Sequence, residues 1–300
     1  MKRILVLGGV LASLALAAAS QSARPPAALL TYSVTPNGGI CLSQPNGTKR
    51  VRLTGRMNDR GAAWTRDGRL VAFVRTIGAE SRIVIADARG RIIRRFSPAA
   101  GVADPTWSPN GQRLAYSTGG PASRIVIAGR DGGVQSTLPT GRSAATTPAW
   151  SPNGREIAYT DRLELDQQRS MIRIFAMSVD GTAKRLVAGL ASDPAWAPDG
   201  SKLAYVAYES RFAEMGHVAV VNANGSAPHR ISTSTEAESS PSWSPRGRLI
   251  AFTRGSGAGS SIVTVRPDGT GEQAVLRGRG AVDPAWRPPV ALPKVRRATC

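Results

Sequence analysis

Six tryptophans, all that this chain of 300 residues contains, divide it into near-equal lengths: Trp64, Trp107, Trp150, Trp196, Trp243 and Trp286 follow one another at 43, 43, 46, 47 and 43 residues. Around the first five stand WTRDGRLVAFV, WSPNGQRLAYS, WSPNGREIAYT, WAPDGSKLAYV and WSPRGRLIAFT. Self-similarity at a period of roughly 20–50 residues is the signature of a repeat architecture, in which no unit buries its apolar face alone. Each copy reads as four short strands. In the second to fourth copies the Trp segment ends in a Pro-Asn-Gly or Pro-Asp-Gly turn, where Pro presets φ and Gly supplies the positive φ of a tight reversal. In the second copy the next strands are Arg113–Tyr116, Arg124–Ala128 and Gln135–Leu138. A second turn recurs at Asn46-Gly47, Arg89-Gly90, Asp131-Gly132, Asp180-Gly181, Asn224-Gly225 and Asp268-Gly269.

A four-stranded antiparallel unit with two open faces must stack on its neighbours, and radial closure of such units gives a propeller. The fold class expected is therefore all-β, a six-bladed β-propeller of four-stranded antiparallel blades. Trp286 has no complete unit after it, while Leu30–Ser33 matches Leu114–Ser117 and Asn46–Leu53 matches the end of a unit. The sixth blade is thus expected to be split, with residues near 284–290 joined to residues near 28–55. In this reading the tryptophans are anchors between blades rather than ligand-stacking residues, and truncating one to Ala costs roughly 3–5 kcal/mol.

Two cysteines, Cys41 and Cys300, are too few for a disulfide framework or a thiolate zinc site. Closure through the split blade brings Cys41 within reach of a tail leaving the same blade. Two readings stay open: a Cys41–Cys300 disulfide, or a buried Cys41 with a free Cys300.

The N-terminus carries Lys2 and Arg3, an apolar run from Ile4 to about Ala17, and small residues at Ala17, Ala18 and Ala19. This pattern reads as a secretory signal cleaved near Ala19 or Ser20, with an uncleaved anchor as the alternative. The expected organisation is a signal peptide at 1–19, a linker at 20–27, the propeller at 28–290 and a tail at 291–300. The product is then an exported monomer, periplasmic or extracellular, with no transmembrane span after signal cleavage.

The Trp-Ser-Pro-Asn/Asp-Gly-x-x-x-Ala-Tyr/Phe phrase resembles the repeat of TolB-type β-propellers, and the resemblance covers nearly all of the chain after the signal. It implies a periplasmic propeller that binds another envelope protein. Similar repeats also form non-catalytic propellers of prolyl oligopeptidase-type peptidases and a few propeller lyases. Members of the TolB type carry an additional N-terminal α/β domain for which this chain leaves no room, so a stand-alone propeller is expected.

In the five complete copies the count from the Trp to the aromatic of the next strand (Phe73, Tyr116, Tyr159, Tyr205, Phe252) is nine residues, whereas from that aromatic to the second turn it varies. The variable loops therefore join the second and third strands, and loops on a rigid scaffold carry function. The longest are Asp161–Arg169 and Tyr208–Met215, in adjacent blades. Arg162, Arg169, Tyr208, Arg211 and Phe212 are residue types that interfaces favour, and with Leu163 they either form a contact patch or fold back onto the blades. On the same face Asp104, Asp193 and Asp283 each precede a Trp by three residues, with Thr147 and Ser240 in the matching places. They are read either as a ring that takes a cation or a partner's basic side chain, or as acceptors within their own Asp-Pro turns.

No G-x-S-x-G, P-loop or G-x-G-x-x-G pattern is present, and His217 and His229 are the only histidines. No catalytic residue, metal ligand or cofactor is assigned. Lys+Arg 39 against Asp+Glu 20 gives a net charge of +19, which favours anionic partners. The arginines are spread through every blade, so a specific nucleic acid is not expected. An anionic cell-wall polymer fits the charge, as does an Arg-rich composition on solvated faces. The expected activity is that of a non-enzymatic binding scaffold. The alternatives are a lyase or hydrolase acting on acidic glycans at the channel mouth, and an accessory subunit of a separately encoded enzyme.

Overall fold

The computed structural model describes residues 28–36, 38–55, 57–96, 101–166, 169–210, 213, 215–289 and 300, with Arg169 described by its backbone alone. The expected signal at 1–19, the linker at 20–27 and the tail apart from Cys300 lie outside the described residues, as do Arg211 and Phe212. Six four-stranded antiparallel sheets stand around a central channel. Blade 1 is built from Asn58–Trp64, Leu70–Ile77, Glu80–Asp87 and Ile92–Phe96, and blade 2 from Val102–Trp107, Arg113–Thr118, Ile125–Gly129 and Val134–Thr137. Blade 3 has Ala144–Trp150, Glu156–Asp166, Arg169–Ser178 and Lys184–Gly189, and blade 4 has Ala191–Trp196, Lys202–Tyr208, Gly216–Asn222 and His229–Arg230. Blade 5 has Glu238–Trp243, Ile250–Arg254, Ser261–Val265 and Gln273–Leu276. Blade 6 is split: its inner strand Ala281–Arg287 pairs with Leu29–Val34, followed by Gly39–Ser43 and Val51–Arg52.

Among the described residues there is no single core. The buried apolar residues fall into six clusters, each between two neighbouring blades, as the repeat pattern requires. Each tryptophan sits in one of them. Four indoles also cross the seam with a hydrogen bond from Nε1: Trp64 to Thr31 Oγ1 (2.8 Å), and Trp107, Trp243 and Trp286 to the carbonyls of Ala63, Ala195 and Ser242. Each of those carbonyls belongs to the residue just before the preceding blade's own Trp. The turns are equally repetitive. In blade 2, Ser108 Oγ accepts from the Arg113 N–H and donates to Asn110, and in blade 3 Ser151 does the same with Glu156 and Asn153. At the second turn Gly90 has φ +82° and lies so close to the Leu53 carbonyl of blade 6 that no Cβ fits there.

Closure uses three devices. Leu30 pairs with Trp286 across the split blade. Cys41 and Cys300 are joined by a disulfide whose Cα atoms lie 6.2 Å apart. Arg287, 1% exposed, donates from Nε to the Gly68 carbonyl and stacks 4.9 Å over Trp64, stitching blade 6 to blade 1.

One expectation is corrected. The segment from Asp161 to Arg169 is not a loop: the second and third strands of blade 3 continue as a paired hairpin to Asp166↔Arg169. The alternation Arg162-Leu163-Glu164-Leu165 gives it strand periodicity, and Met171 and Ile172 face it across the pair. Leu165 is 51% exposed and Met171 40% exposed along this projection.

Candidate functional site

All six inner strands share one backbone irregularity three residues before the Trp. The register slips at this point, for example between Ala103 and Thr106 or between Ser192 and Ala195, which marks a bulge. The residue at the slip has positive φ in every blade: Gly61 (+62°), Asp104 (+52°), Thr147 (+46°), Asp193 (+54°), Ser240 (+54°) and Asp283 (+51°). Non-glycine residues pay roughly 1–3 kcal/mol for such a conformation, so surrounding contacts must hold it. In blades 2 to 6 proline follows directly. The inner strand is a sheet edge facing the channel, and a bulge on an edge is where a residue without an N–H fits.

The contacts that hold the ring run from blade to blade. Asp104 Oδ2 accepts from the Thr147 N–H (3.3 Å) and from Ser117 Oγ (3.0 Å). Asp193 Oδ2 accepts from the Ser240 N–H at 3.3 Å, and Asp283 accepts from the Gly61 N–H. Ser240 Oγ donates to Asp283 Oδ1 (3.3 Å). Threonines of the second strands support the ring from behind: the N–H of Asp193 donates to Thr160 Oγ1, that of Asp283 donates to Thr253 Oγ1, and Thr147 and Thr160 share a 2.6 Å hydroxyl contact. The expectation that each Asp serves its own Asp-Pro turn is therefore corrected. The bulge turns the carboxylate sideways along the ring, and the acceptor satisfies the matching residue of the next blade.

These residues line a central cavity of about 690 Å³ walled by all six blades. The three carboxylates keep part of their surface toward it while being surrounded by protein. Burial raises the pKa of Asp193 to about 6, opposed by the Ser240 N–H and reinforced by the charges of Asp104 and Asp283. Asp104 is raised by burial as well, and Asp283 by burial and then by Asp104, with Arg60 acting in the opposite sense. Among the described residues that line the cavity, Arg60 is the one basic group near the mouth. A cationic molecule thus has an anionic channel mouth, suited to a cation or a basic side chain. No group of three or more His, Cys, Asp or Glu close enough to hold a metal ion is found among the described residues.

The loop residues divide. Tyr208 folds back, its hydroxyl 3.0 Å from Ser192 Oγ, and Glu209 pairs with Arg230 at 3.7 Å. Arg162 is exposed on the hairpin, Leu163 is half-buried, and the side chain of Arg169 lies outside the description. Exposed apolar groups that the sequence reading did not single out are Leu165, Met171 and, in the neighbouring blade 4, Met215 (51% exposed). Ile77 and Met57 project on the same face, so among the described residues five of the eight large exposed apolar side chains lie there. Arg60, Gly61, Ser117, Thr160 and Thr253 were also missed. Their signal was their fixed offset from the Trp or from the second-strand aromatic.

Comparison with known proteins agrees with this architecture. A profile of the TolB beta propeller domain matches residues 117–289. A stretch of 39 residues is 56% identical to the Tol-Pal system protein TolB of Gluconobacter oxydans (strain 621H), covering 13% of this chain and 9% of that protein. The crystal structure of TolB from Acinetobacter baumannii superposes with a TM-score of 0.69 at 18% identity, covering 87% of this chain and 66% of that one. A TolB-like structure from Agrobacterium tumefaciens gives 0.60 at 17% identity, covering 87% and 93%. The chain thus spans less than two thirds of the Gluconobacter and Acinetobacter relatives. No helix among the described residues is long and apolar enough to cross a membrane.

Proposed function

Because the chain belongs to the TolB β-propeller family, we propose that it acts as an exported, non-enzymatic scaffold in the bacterial cell envelope and binds a protein partner on its loop face. The observation that carries this reading is the channel mouth, where Asp104, Asp193 and Asp283 face one cavity, and among the described residues lining it Arg60 is the one base against them. A basic side chain entering the mouth regains as ion pairing what the carboxylates lose to mutual repulsion. Beside it Leu165, Met171 and Met215 leave apolar surface open on blades 3 and 4. The combination of an apolar anchor area and a charged pocket is the anatomy of a protein interface rather than of a small-molecule site. The relative from Gluconobacter is a protein of the Tol-Pal system, and work within an envelope assembly is proposed here for this chain by that likeness. Export follows from the basic and apolar N-terminal pattern.

The test is capture from an envelope extract at low and physiological salt by three forms of the protein: wild type, one with residues 163–171 replaced by a two-residue turn, and the triple variant Asp104→Asn, Asp193→Asn, Asp283→Asn. The expected outcome is one discrete protein that survives physiological salt on the wild type, is lost from the trimmed hairpin and is weakened by the triple variant. Undiminished capture by both variants rules out the loop face.

A further inference from the structure

At the opposite end of the channel the turns between first and second strands follow one template, and blade 1 breaks it. The residue two after the Trp is proline in five blades, Pro109, Pro152, Pro198, Pro245 and Pro288, and in blade 1 it is Arg66. The prolines have a packing role: Gly154, Gly200 and Gly247 of successive turns back onto Pro109, Pro152 and Pro198, which fill the notch between neighbouring blades. Between blades 1 and 2 no proline fills that notch, and Gly111 backs onto the Thr65 side chain instead. A cleft of about 520 Å³ opens in its place, lined by Arg66, Arg69, Asn110, Gln112 and Arg130 together with Asp67.

Arg130 breaks a second template. Its matching residues in the other second turns are Pro45, Ala88, Val179, Ala223 and Pro267. The backbone there is unchanged, since the Arg130 N–H bonds to the Gln112 carbonyl as Val179 and Ala223 bond to Arg155 and Ser201. Val179 and Ala223 pack against inter-blade clusters, whereas Arg130 is exposed at the cleft. Two independent departures, one from each blade, therefore put a guanidinium into the same cleft. The acceptors nearby are already engaged: Asp67 Oδ1 takes Thr65 Oγ1 (2.6 Å) and the Arg69 N–H, and Asn110 Oδ1 takes Ser108 Oγ and the Gln112 N–H. Arg69 holds Asp67 only at 3.9 Å. Three guanidiniums against one carboxylate leave two positive charges, the complement of a phosphate monoester. Blade 1 as a whole carries nine arginines against four carboxylates, while blade 4 has three basic residues against four acidic ones, so the surrounding field favours the same sign.

We propose that the cleft between blades 1 and 2 is a phosphate-binding site, with Arg66 and Arg130 as the pair that clamps the anion and Arg69 at its edge. Arginine forks match phosphate oxygens two at a time, which distinguishes such a clamp from diffuse attraction to a basic surface. The site lies on the face away from the channel mouth and does not depend on the scaffold reading.

The test uses the purified protein, with glycerol 3-phosphate in calorimetric titration as one arm and flotation with phosphatidylcholine vesicles with or without phosphatidic acid as the other. Arg66→Pro and Arg130→Ala restore residues that other blades already carry, so the fold tolerates them, and an unchanged melting temperature verifies it. Arg155→Ser, which copies blade 4 at an exposed turn elsewhere, removes the same charge without touching the cleft. Saturable binding that falls about tenfold or more in the double variant and stays within about twofold in Arg155→Ser supports the site. Titration in solution then assigns a free phosphate monoester, and binding to vesicles alone assigns a lipid headgroup. Absence of saturable binding in both arms, or equal weakening by Arg155→Ser, overturns it.

Discussion

Odd and even blades place different electrostatics on one backbone. At the bulged position blades 2, 4 and 6 carry Asp104, Asp193 and Asp283, and blades 3, 5 and 1 carry Thr147, Ser240 and Gly61. The odd blades hold a buried acid that does not line the cavity, and pair it. Asp59 receives both forks of Arg75 at 2.6 and 2.8 Å, Asp161 meets Arg173 (2.8 Å) and Lys184 (3.5 Å), and Glu238 meets Arg254 (2.8 Å). These three buried acids of the odd blades are thus neutralised within their own sheet. Among the described residues, the ring acids Asp104, Asp193 and Asp283 of the even blades receive neutral hydrogen bonds, with Arg60 acting on Asp283 from nearby. The contrast separates structural charge, which is matched, from charge left available at the channel.

Three measurements sharpen or break that contrast, beginning with the largest effect. Arg75→Met strands Asp59 without its cation in a buried site, and is expected to cost about 3–5 kcal/mol in urea unfolding. Adding Asp59→Leu should recover most of the loss, and failure to recover would mean that the pair does more than neutralise itself. Asp193→Asn tests the even blades. A carboxyl whose folded pKa is raised to about 6 contributes stability below its unfolded pKa of 3.8 and loses it as pH rises through 6. The wild type is therefore expected to lose up to about 3 kcal/mol between pH 4 and pH 7 at this group, and Asn, which still accepts from Ser240, should remove that slope and be the more stable form at pH 7. An unchanged pH profile would show that Asp193 is solvated by the channel. The smallest effect is expected from Ser240→Gly. It relieves the positive φ and loses the hydroxyl bond to Asp283, for a net change within about 1 kcal/mol in the same unfolding assay. A larger loss would give the ring hydroxyl a structural weight that Gly61 in blade 1 argues against.

Period and turn chemistry made the fold legible. Tryptophan spacing set the blade number, and the half-units at the two ends set the closure, because both are properties of one repeat compared with itself. The ring of acids was legible as positions, through their constant offset from the Trp. Its hydrogen bonds were not, since a bulge redirects a side chain by an angle that no spacing reports. The blade 3 projection has the length of a loop, but Arg162 to Leu165 alternate with strand period, and that alternation rather than the length decides the structure. The cleft between blades 1 and 2 was hidden differently: Arg66 and Arg130 look ordinary in a chain rich in arginine, and stand out only when each is set against its five counterparts.

The disulfide between Cys41 and Cys300, separated by 259 residues, turns nearly the whole propeller into a covalent macrocycle. A protease that cuts one exposed turn anywhere between them opens the circle but frees no fragment. The nicked chain keeps all of its blades tethered, and two cuts are needed before any piece can diffuse away. Against peptidases, the bond acts as insurance against the first hit, which is a different service from the stability it adds to the intact fold.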